Sequence, residues 1–232
     1  MTLCRRDLEE GRMRALYMAA VAPGHALSDK ALEASLQKTL AQKPEGAGWW
    51  VFAYGSLLWN PLFPFAESQP ARVQGLHRRF CLQSLASRGT ADKPGLVLGL
   101  EQGGCCRGVL YRLPANQAMA ELRLLWRREM VVGSYHPRWL LARPETPHGR
   151  RSLHALSFVV DRKHPQYVGW LTLDEQIAVL ASASGVFGSS ADYLEHARTA
   201  LITHGIIDPY LERLAQGVAS VGHGRRTGDS RR

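Results

Sequence analysis

Three short segments hold the side chains best suited to chemistry. The first is Tyr54-Gly55-Ser56-Leu57, which follows the aromatic, β-favouring run Trp49-Trp50-Val51-Phe52-Ala53. A glycine between polar residues at a strand end lets backbone amides approach a ligand closely. Consecutive amides of this kind form a nest for a carboxylate or an oxyanion. Taken alone, the tetrapeptide also reads as an ordinary glycine turn. Ser56 is a poor candidate for a hydrolase nucleophile, because no Gly-x-Ser-x-Gly elbow surrounds it and no His/Asp pair can be assigned to it.

The second segment is Trp126-Arg127-Arg128-Glu129-Met130-Val131-Val132-Gly133-Ser134-Tyr135. Glu129 falls among apolar residues where a helix opening at Pro114 should end. Desolvation raises a carboxyl pKa, and the negative end of a helix dipole raises it further. Arg127 and Arg128 oppose that rise if they point inward. The plainer reading is a surface glutamate paired at a helix end. The third segment is Arg88-Gly89-Thr90 with Lys93-Pro94-Gly95, a polar loop in which Arg88 could hold a substrate carboxylate or simply sit in a connection. Tyr167 and Tyr193 are candidate pocket walls, or half-buried core tyrosines.

The elements that must position these residues are legible in outline. A first strand over the Trp49–Tyr54 run leads into the glycine turn. Further strands are expected at Arg72–Leu76, Leu96–Leu100, Gly108–Leu113, Arg138–Ala142 and His154–Val160. The helix from Pro114 carries Met119, Leu122, Leu125 and Trp126 on one face. Thr172 with Glu175, and Ser189 with Asp192, are capping-box signatures for two later helices, the second closed by Gly205. Residues 1–48 read as a partly helical extension: Ser28 caps a helix through Ala31, Leu32, Leu36 and Leu40, and Lys43 to Gly48 is a linker. Strands precede helices without βαβ alternation, which argues against a doubly wound parallel sheet and for an α+β fold with a mixed, curved sheet.

Composition bounds the function. The 232 residues, 45% of them hydrophobic, suit one domain with tails: an extension at 1–48, a domain at 49–218 and a basic, disordered tail at 219–232. No apolar run is long enough to span a membrane, and the N-terminus is a poor signal peptide, so a cytoplasmic location and no membrane partner are expected. The net charge of +9 is spread along the chain rather than gathered among aromatics, which makes nucleic acid a poor partner and an anionic small molecule a good one. The four cysteines form no CxxC pair, Cys105 and Cys106 are adjacent, and no His cluster has ligand spacing, so reduced thiols without metal or other cofactor are expected. No oligomeric state follows from the sequence.

In order along residues 49 to 218, a series of segments resembles the ChaC family of glutathione-specific γ-glutamylcyclotransferases. It runs from Trp50-Val51-Phe52-Ala53-Tyr54-Gly55-Ser56-Leu57-Leu58-Trp59 through Arg72-Val73-Gln74-Gly75 and Arg78-Arg79-Phe80. It continues with the Arg88 loop, Gly108-Val109-Leu110-Tyr111, Arg128-Glu129-Met130 and Gly133-Ser134-Tyr135. It ends with His164-Pro165-Gln166-Tyr167-Val168-Gly169 and Ala191-Asp192-Tyr193-Leu194. Ala53 and Ser134 stand where family members often carry glycine. The resemblance implies a small mixed β-barrel flanked by helices and Glu129 as general acid/base. It also implies a γ-glutamyl site formed by Val51, Phe52, Ala53, Tyr54, Gly55, Ser56 and Leu57, with Arg88, Tyr135 and Tyr167 completing the substrate contacts. Glutathione is then the expected substrate, converted to 5-oxoproline and Cys-Gly. The alternatives are a cyclotransferase for other γ-glutamyl amino acids or amines, or a non-catalytic ligand-binding module.

Overall fold

The buried face of each strand is what closes this sheet into a barrel. A computed structural model describes residues 3–20, 26–145 and 151–228. The strands are β1 (Trp50–Ala53), β2 (Glu67–Ser84), β3 (Gly95–Arg112), β4 (Tyr135–Pro144) and β5 (Leu153–Val160). They close in the order β1-β3-β2-β4-β5. β1 is wholly buried, as its unbroken apolar run requires. It pairs antiparallel with β3 and parallel with β5, where Val51 faces Leu156. β2 and β3 form one long antiparallel hairpin, with register shifts at Gln74/Leu76 and Phe80/Leu82. Gly75 occupies the first shift at φ 77°, a left-handed conformation that glycine adopts at little cost. The strand expected at Arg72–Leu76 is thus part of β2, and those expected at Leu96–Leu100 and Gly108–Leu113 both fall in β3, the second running one residue past its end. A glycine break at 103–104 is absorbed as left-handed residues within β3 rather than as a turn.

Among the described residues seven α-helices accompany the barrel: α1 (Arg5–Glu9), α2 (Arg12–Ala20), α3 (Asp29–Leu40), α4 (Ala118–Glu129), α5 (Leu173–Leu180), α6 (Ser190–Thr203) and α7 (Pro209–Gly228). A short hairpin, β6 (Ser184–Gly185) with β7 (Gly188–Ser189), joins α5 to α6. The capping boxes at Thr172/Glu175 and Ser189/Asp192 are both formed, and Ser28 accepts from the Ala31 amide. Helix α4 packs its apolar face on the core. Its Ala118, Leu122, Leu125 and Trp126 are buried, and Trp126 meets Phe158 edge-on at 5.5 Å between ring centroids. The helix opens four residues beyond Pro114 because a turn, Gln117 N–H to the Pro114 carbonyl, intervenes.

The tail read as disordered from 219 is helical to Gly228. Leu211 and Leu214 are buried and Ala215 and Val218 pack on the core, so α7 is anchored by its first half and propagates from there. Residues 229–232 of that tail lie outside the described residues. All four cysteines are free, and Cys105 and Cys106 point to opposite faces of β3, exposed and buried respectively. No helix among the described residues is long and apolar enough to cross a membrane.

Candidate active site

The Trp126 face of α4 continues to Glu129, one turn further on, at the last residue of the helix. Its side chain is 14% exposed and looks into a cavity of about 340 Å³. Ser56, Arg88, Arg128, Ser134, Tyr135 and Tyr193 share that wall. The chain leaves α4 through Gly133, at φ 72°, and its N–H closes on the Met130 carbonyl, so that β4 begins beside the cavity. The Leu27 amide donates to the Val131 carbonyl and fixes the exit from outside.

Burial raises the Glu129 pKa, and the Arg128 guanidinium works against it without cancelling it. Arg128 Nε lies 3.0 Å from Glu129 Oε1 but aims no hydrogen at it, so that oxygen has no hydrogen-bond partner among the described residues. The guanidinium donors are spent on the glycine turn instead: Nη2 donates to Ser56 Oγ at 2.9 Å, and Nη1 donates to the Asn60 carbonyl. Arg127 is exposed and takes no part. A carboxyl that burial makes a stronger base, next to a fixed positive charge, is suited to taking a proton and returning it.

The tyrosines around it are kept protonated. Burial and the nearby Glu129 charge raise the pKa values of Tyr54, Tyr135 and Tyr193. Tyr54 donates to the Phe158 carbonyl at 2.7 Å and Tyr135 to the Leu98 carbonyl at 3.3 Å, so both tie the site to the barrel. Tyr193 packs edge-on against Trp59 and closes over Gly55, where a Cβ would come within 3.1 Å of its hydroxyl.

Arg88 is presented by a hairpin loop sewn together through its backbone. Ser84 Oγ accepts from the Arg88 amide, and Ser190 Oγ donates to the Arg88 carbonyl. Gly89 and Gly95 allow this approach: a Cβ on Gly89 would fall 2.0 Å from the Gly95 nitrogen, and one on Gly95 2.2 Å from the Arg88 carbonyl oxygen. The guanidinium lies 5.5 Å over the Tyr193 ring and reaches the Ser189 carbonyl only at 3.4 Å, which leaves most of its donors uncommitted to those contacts. Burial lowers its pKa, but an arginine remains charged.

The sequence-derived candidates thus divide. Ser56, Arg88, Glu129 and Tyr135 meet on the cavity. Val51, Phe52, Ala53 and Leu57 are core side chains, and the segment 51–57 has its backbone and Ser56 to offer a ligand. Tyr54 is buried beside Glu129 with its hydroxyl bound to the barrel. Tyr167 does not line the cavity. It bridges to Leu82 and packs on the buried cluster of Cys81, Leu82 and Val160, and its hydroxyl donates to Glu101 at 2.5 Å beside Arg162. Its neighbour Gln166 lines the cavity in its place. Sequence reasoning overlooked Gln83, Ser87, Phe187 and His196, which carry no spacing signal because they converge from four separate elements. It also overlooked Leu3, Met13 and Tyr17 from the extension. Among the described residues no group of three His, Cys, Asp or Glu side chains could hold a metal ion.

Known proteins resemble this chain in sequence and in fold. The glutathione-specific γ-glutamylcyclotransferase of Escherichia coli K12 is 42% identical over 185 residues, 80% of this chain and 79% of its own. Glutathione-specific γ-glutamylcyclotransferase 1 of Rattus norvegicus is 30% identical over 74% of this chain and 79% of its own. The crystal structure of a γ-glutamyl cyclotransferase specific to glutathione from yeast superposes with a TM-score of 0.69 at 25% identity, covering 75% of this chain and 97% of that one. The model of ChaC-like proteins matches residues 49–221, which take in the whole barrel, the glycine turn, the Arg88 loop and Glu129, and the chain therefore belongs to the ChaC family.

Proposed function

We propose that this protein is a glutathione-specific γ-glutamylcyclotransferase that releases 5-oxoproline and Cys-Gly, with Glu129 as its general acid/base. The observation that carries the reading is the Glu129 carboxyl: its pKa is raised by burial and one of its oxygens lacks a hydrogen-bond partner among the described residues, in a cavity lined by two arginines. No serine or cysteine nucleophile with a paired base accompanies it on that cavity wall, which suits a reaction in which the substrate brings its own nucleophile.

The α-amine of the γ-glutamyl group attacks that group's own γ-carbonyl. A carbon–nitrogen bond forms to close a five-membered lactam, and the bond to the cysteinyl nitrogen breaks. Holding the chain folded back supplies much of the rate, because the attack is intramolecular. Ionised Glu129 takes the proton from the ammonium. The tetrahedral oxyanion needs donors, for which the backbone of the Tyr54–Leu57 turn is the candidate. The protonated Glu129 then gives its proton to the departing amine of Cys-Gly, which restores the carboxylate, and the second proton lost from the ring nitrogen ends on the released amine, which leaves as an ammonium. Arg88 and Arg128 supply a positive field for the carboxylates of glutathione. The apolar part of the wall limits competing water. Four free thiols and a glutathione substrate suit a reducing compartment, and we place the protein in the cytoplasm.

Mass spectrometry of the products from glutathione tests the reading. Equal amounts of 5-oxoproline and Cys-Gly are expected, without free glutamate. Free glutamate as the main product would mean that water attacks instead of the amine. Glutathione acetylated on its α-amine should not turn over at all.

A further inference from the structure

One side of the cavity is built by residues that precede the family domain, which begins at residue 49. Leu3, Met13 and Tyr17 line it together with Val131, Val132 and Phe187. These form an apolar half that faces the polar half of Ser56, Arg88, Arg128 and Glu129. Tyr17 lies on the same wall as Ser87 and Glu129, near enough for both to bear on its hydroxyl.

The segment is fastened as a designed part of a fold would be. Arg5 makes a bidentate pair with Glu121 of α4, at 2.7 and 2.9 Å, and Glu121 is only 4% exposed. Arg5 also donates to the Leu62 carbonyl, and Asn60 Nδ2 donates to the Leu3 carbonyl at 2.9 Å. Leu8 and Met13 are buried against Val131 in a cluster of their own. Asn60 and Leu62 follow the glycine turn directly, and Val131 follows Glu129, so the segment docks on both chain stretches that carry the site. A bidentate guanidinium–carboxylate pair with one partner buried is costly to break.

We propose that residues 3–17 complete the substrate site, with Tyr17 and Met13 forming the wall against which the leaving Cys-Gly half of the substrate packs. This rests on the γ-glutamyl reading of the site. The two halves of the substrate differ as the two halves of the cavity do. The γ-glutamyl end carries a carboxylate and the reacting amine, and it belongs with the arginines and Glu129. The cysteinyl side chain is small and apolar and belongs with Met13, Tyr17 and Phe187. Tyr17 is then a substrate-contacting residue that sets which γ-glutamyl compound is accepted, and not a member of the proton-transfer machinery.

The experiment compares the full chain with Tyr17→Ala and with a chain lacking residues 2–20. The second variant carries Glu121→Gln, so that loss of Arg5 leaves no buried unpaired charge. Two quantities are read: KM and kcat for glutathione, and the inhibition constant of γ-glutamyl methylamide, a short ligand that ends before the wall. Both variants should raise KM for glutathione roughly tenfold, the scale of one lost packing or hydrogen-bond contact, with kcat less affected. The inhibition constant of the short ligand should stay within about twofold. A KM for glutathione unchanged in folded Tyr17→Ala overturns the proposal, and so does a parallel rise in the inhibition constant, which would make the segment a general support. If the full chain yields no 5-oxoproline from glutathione, it is the activity that fails. Calorimetric binding of glutathione then reads the wall, and the proposal falls if Tyr17→Ala binds as tightly as the full chain.

Discussion

Two buried arginines brace the same loop from opposite sides, and each sits against a carboxylate. Arg78, on β2, donates to the Tyr54 carbonyl at 2.8 Å and places its Nε 2.8 Å from Asp208 Oδ2. Arg128, on α4, holds Ser56 and Asn60 and places its Nε 3.0 Å from Glu129 Oε1. The contrast lies in what else the carboxylates meet. Asp208 precedes α7, and its Oδ1 accepts from the Tyr210 and Leu211 amides at the start of that helix. Glu129 closes α4, where free carbonyls rather than amides are on offer and the dipole is negative. An arginine beside a carboxylate therefore does not decide its chemistry. The helix end does: at an N-terminus the anion is satisfied and structural, and at a C-terminus it is short of donors and fit to exchange a proton.

The largest expected effect comes from removing the exchangeable carboxyl. Glu129→Gln keeps the shape but accepts no proton, and it should lower turnover by about 10² to 10⁴, toward the upper end because two transfers depend on it. Calorimetry should show glutathione still bound. A folded mutant with more than about a tenth of wild-type turnover would remove Glu129 from the mechanism. Asp208→Asn is the counterpart. It retains the cap but strands Arg78, and should cost about 3 kcal/mol in a denaturant titration while turnover stays within a few-fold. If Asp208→Asn instead loses turnover as steeply as Glu129→Gln does, the contrast between the two helix ends fails.

Arg88→Ala should raise KM about tenfold, the scale of a lost charge-assisted hydrogen bond, and lower kcat less. An unchanged KM in a folded protein would make Arg88 a loop support. The smallest effect is on stability against pH. Because burial raises the Glu129 pKa in the folded state, folding favours its protonated form. That contribution is fully present below the unfolded glutamate value and is lost as pH rises through the folded pKa. Glu129→Gln should therefore have a higher midpoint than wild type at pH 7, and the gap should close in acid. The catalytic rate should move the opposite way, rising with pH as Glu129 ionises. A gap that widens in acid would mean that the folded pKa is lowered.

The fold class and the family were legible in the sequence, but the extent of single strands was not. Glu129 was readable because the Leu122, Leu125 and Trp126 face places residue 129 on the buried side and nearby glycine limits the helix. Ser56 and Arg88 stood out beside glycines that need close backbone approach, and both line the cavity. The long hairpin was not: its bulges at Gly75 and near Cys81 look like strand ends, and only pairing between distant residues shows that the strands continue. Tyr167, expected on the pocket wall, packs beside Glu101 instead, and a tyrosine in a loop does not reveal which neighbours it meets. The part played by Leu3, Met13 and Tyr17 was hidden for the same reason, since an amphipathic segment does not name its partner.

The parallel seam between β1 and β5 has a consequence in time. Val51 meets Leu156 across more than a hundred residues of chain, and Tyr54 reaches Phe158 over a separation of 104. Chains whose native contacts span such distances fold slowly, because loop entropy must be lost before any contact repays it. A chain emerging from the ribosome holds Ser56, Arg88 and Glu129 long before it can align them. The seam that steadies the glycine turn forms only once β5 is out. Activity should therefore appear late and all at once, so that a partly made chain leaves glutathione untouched.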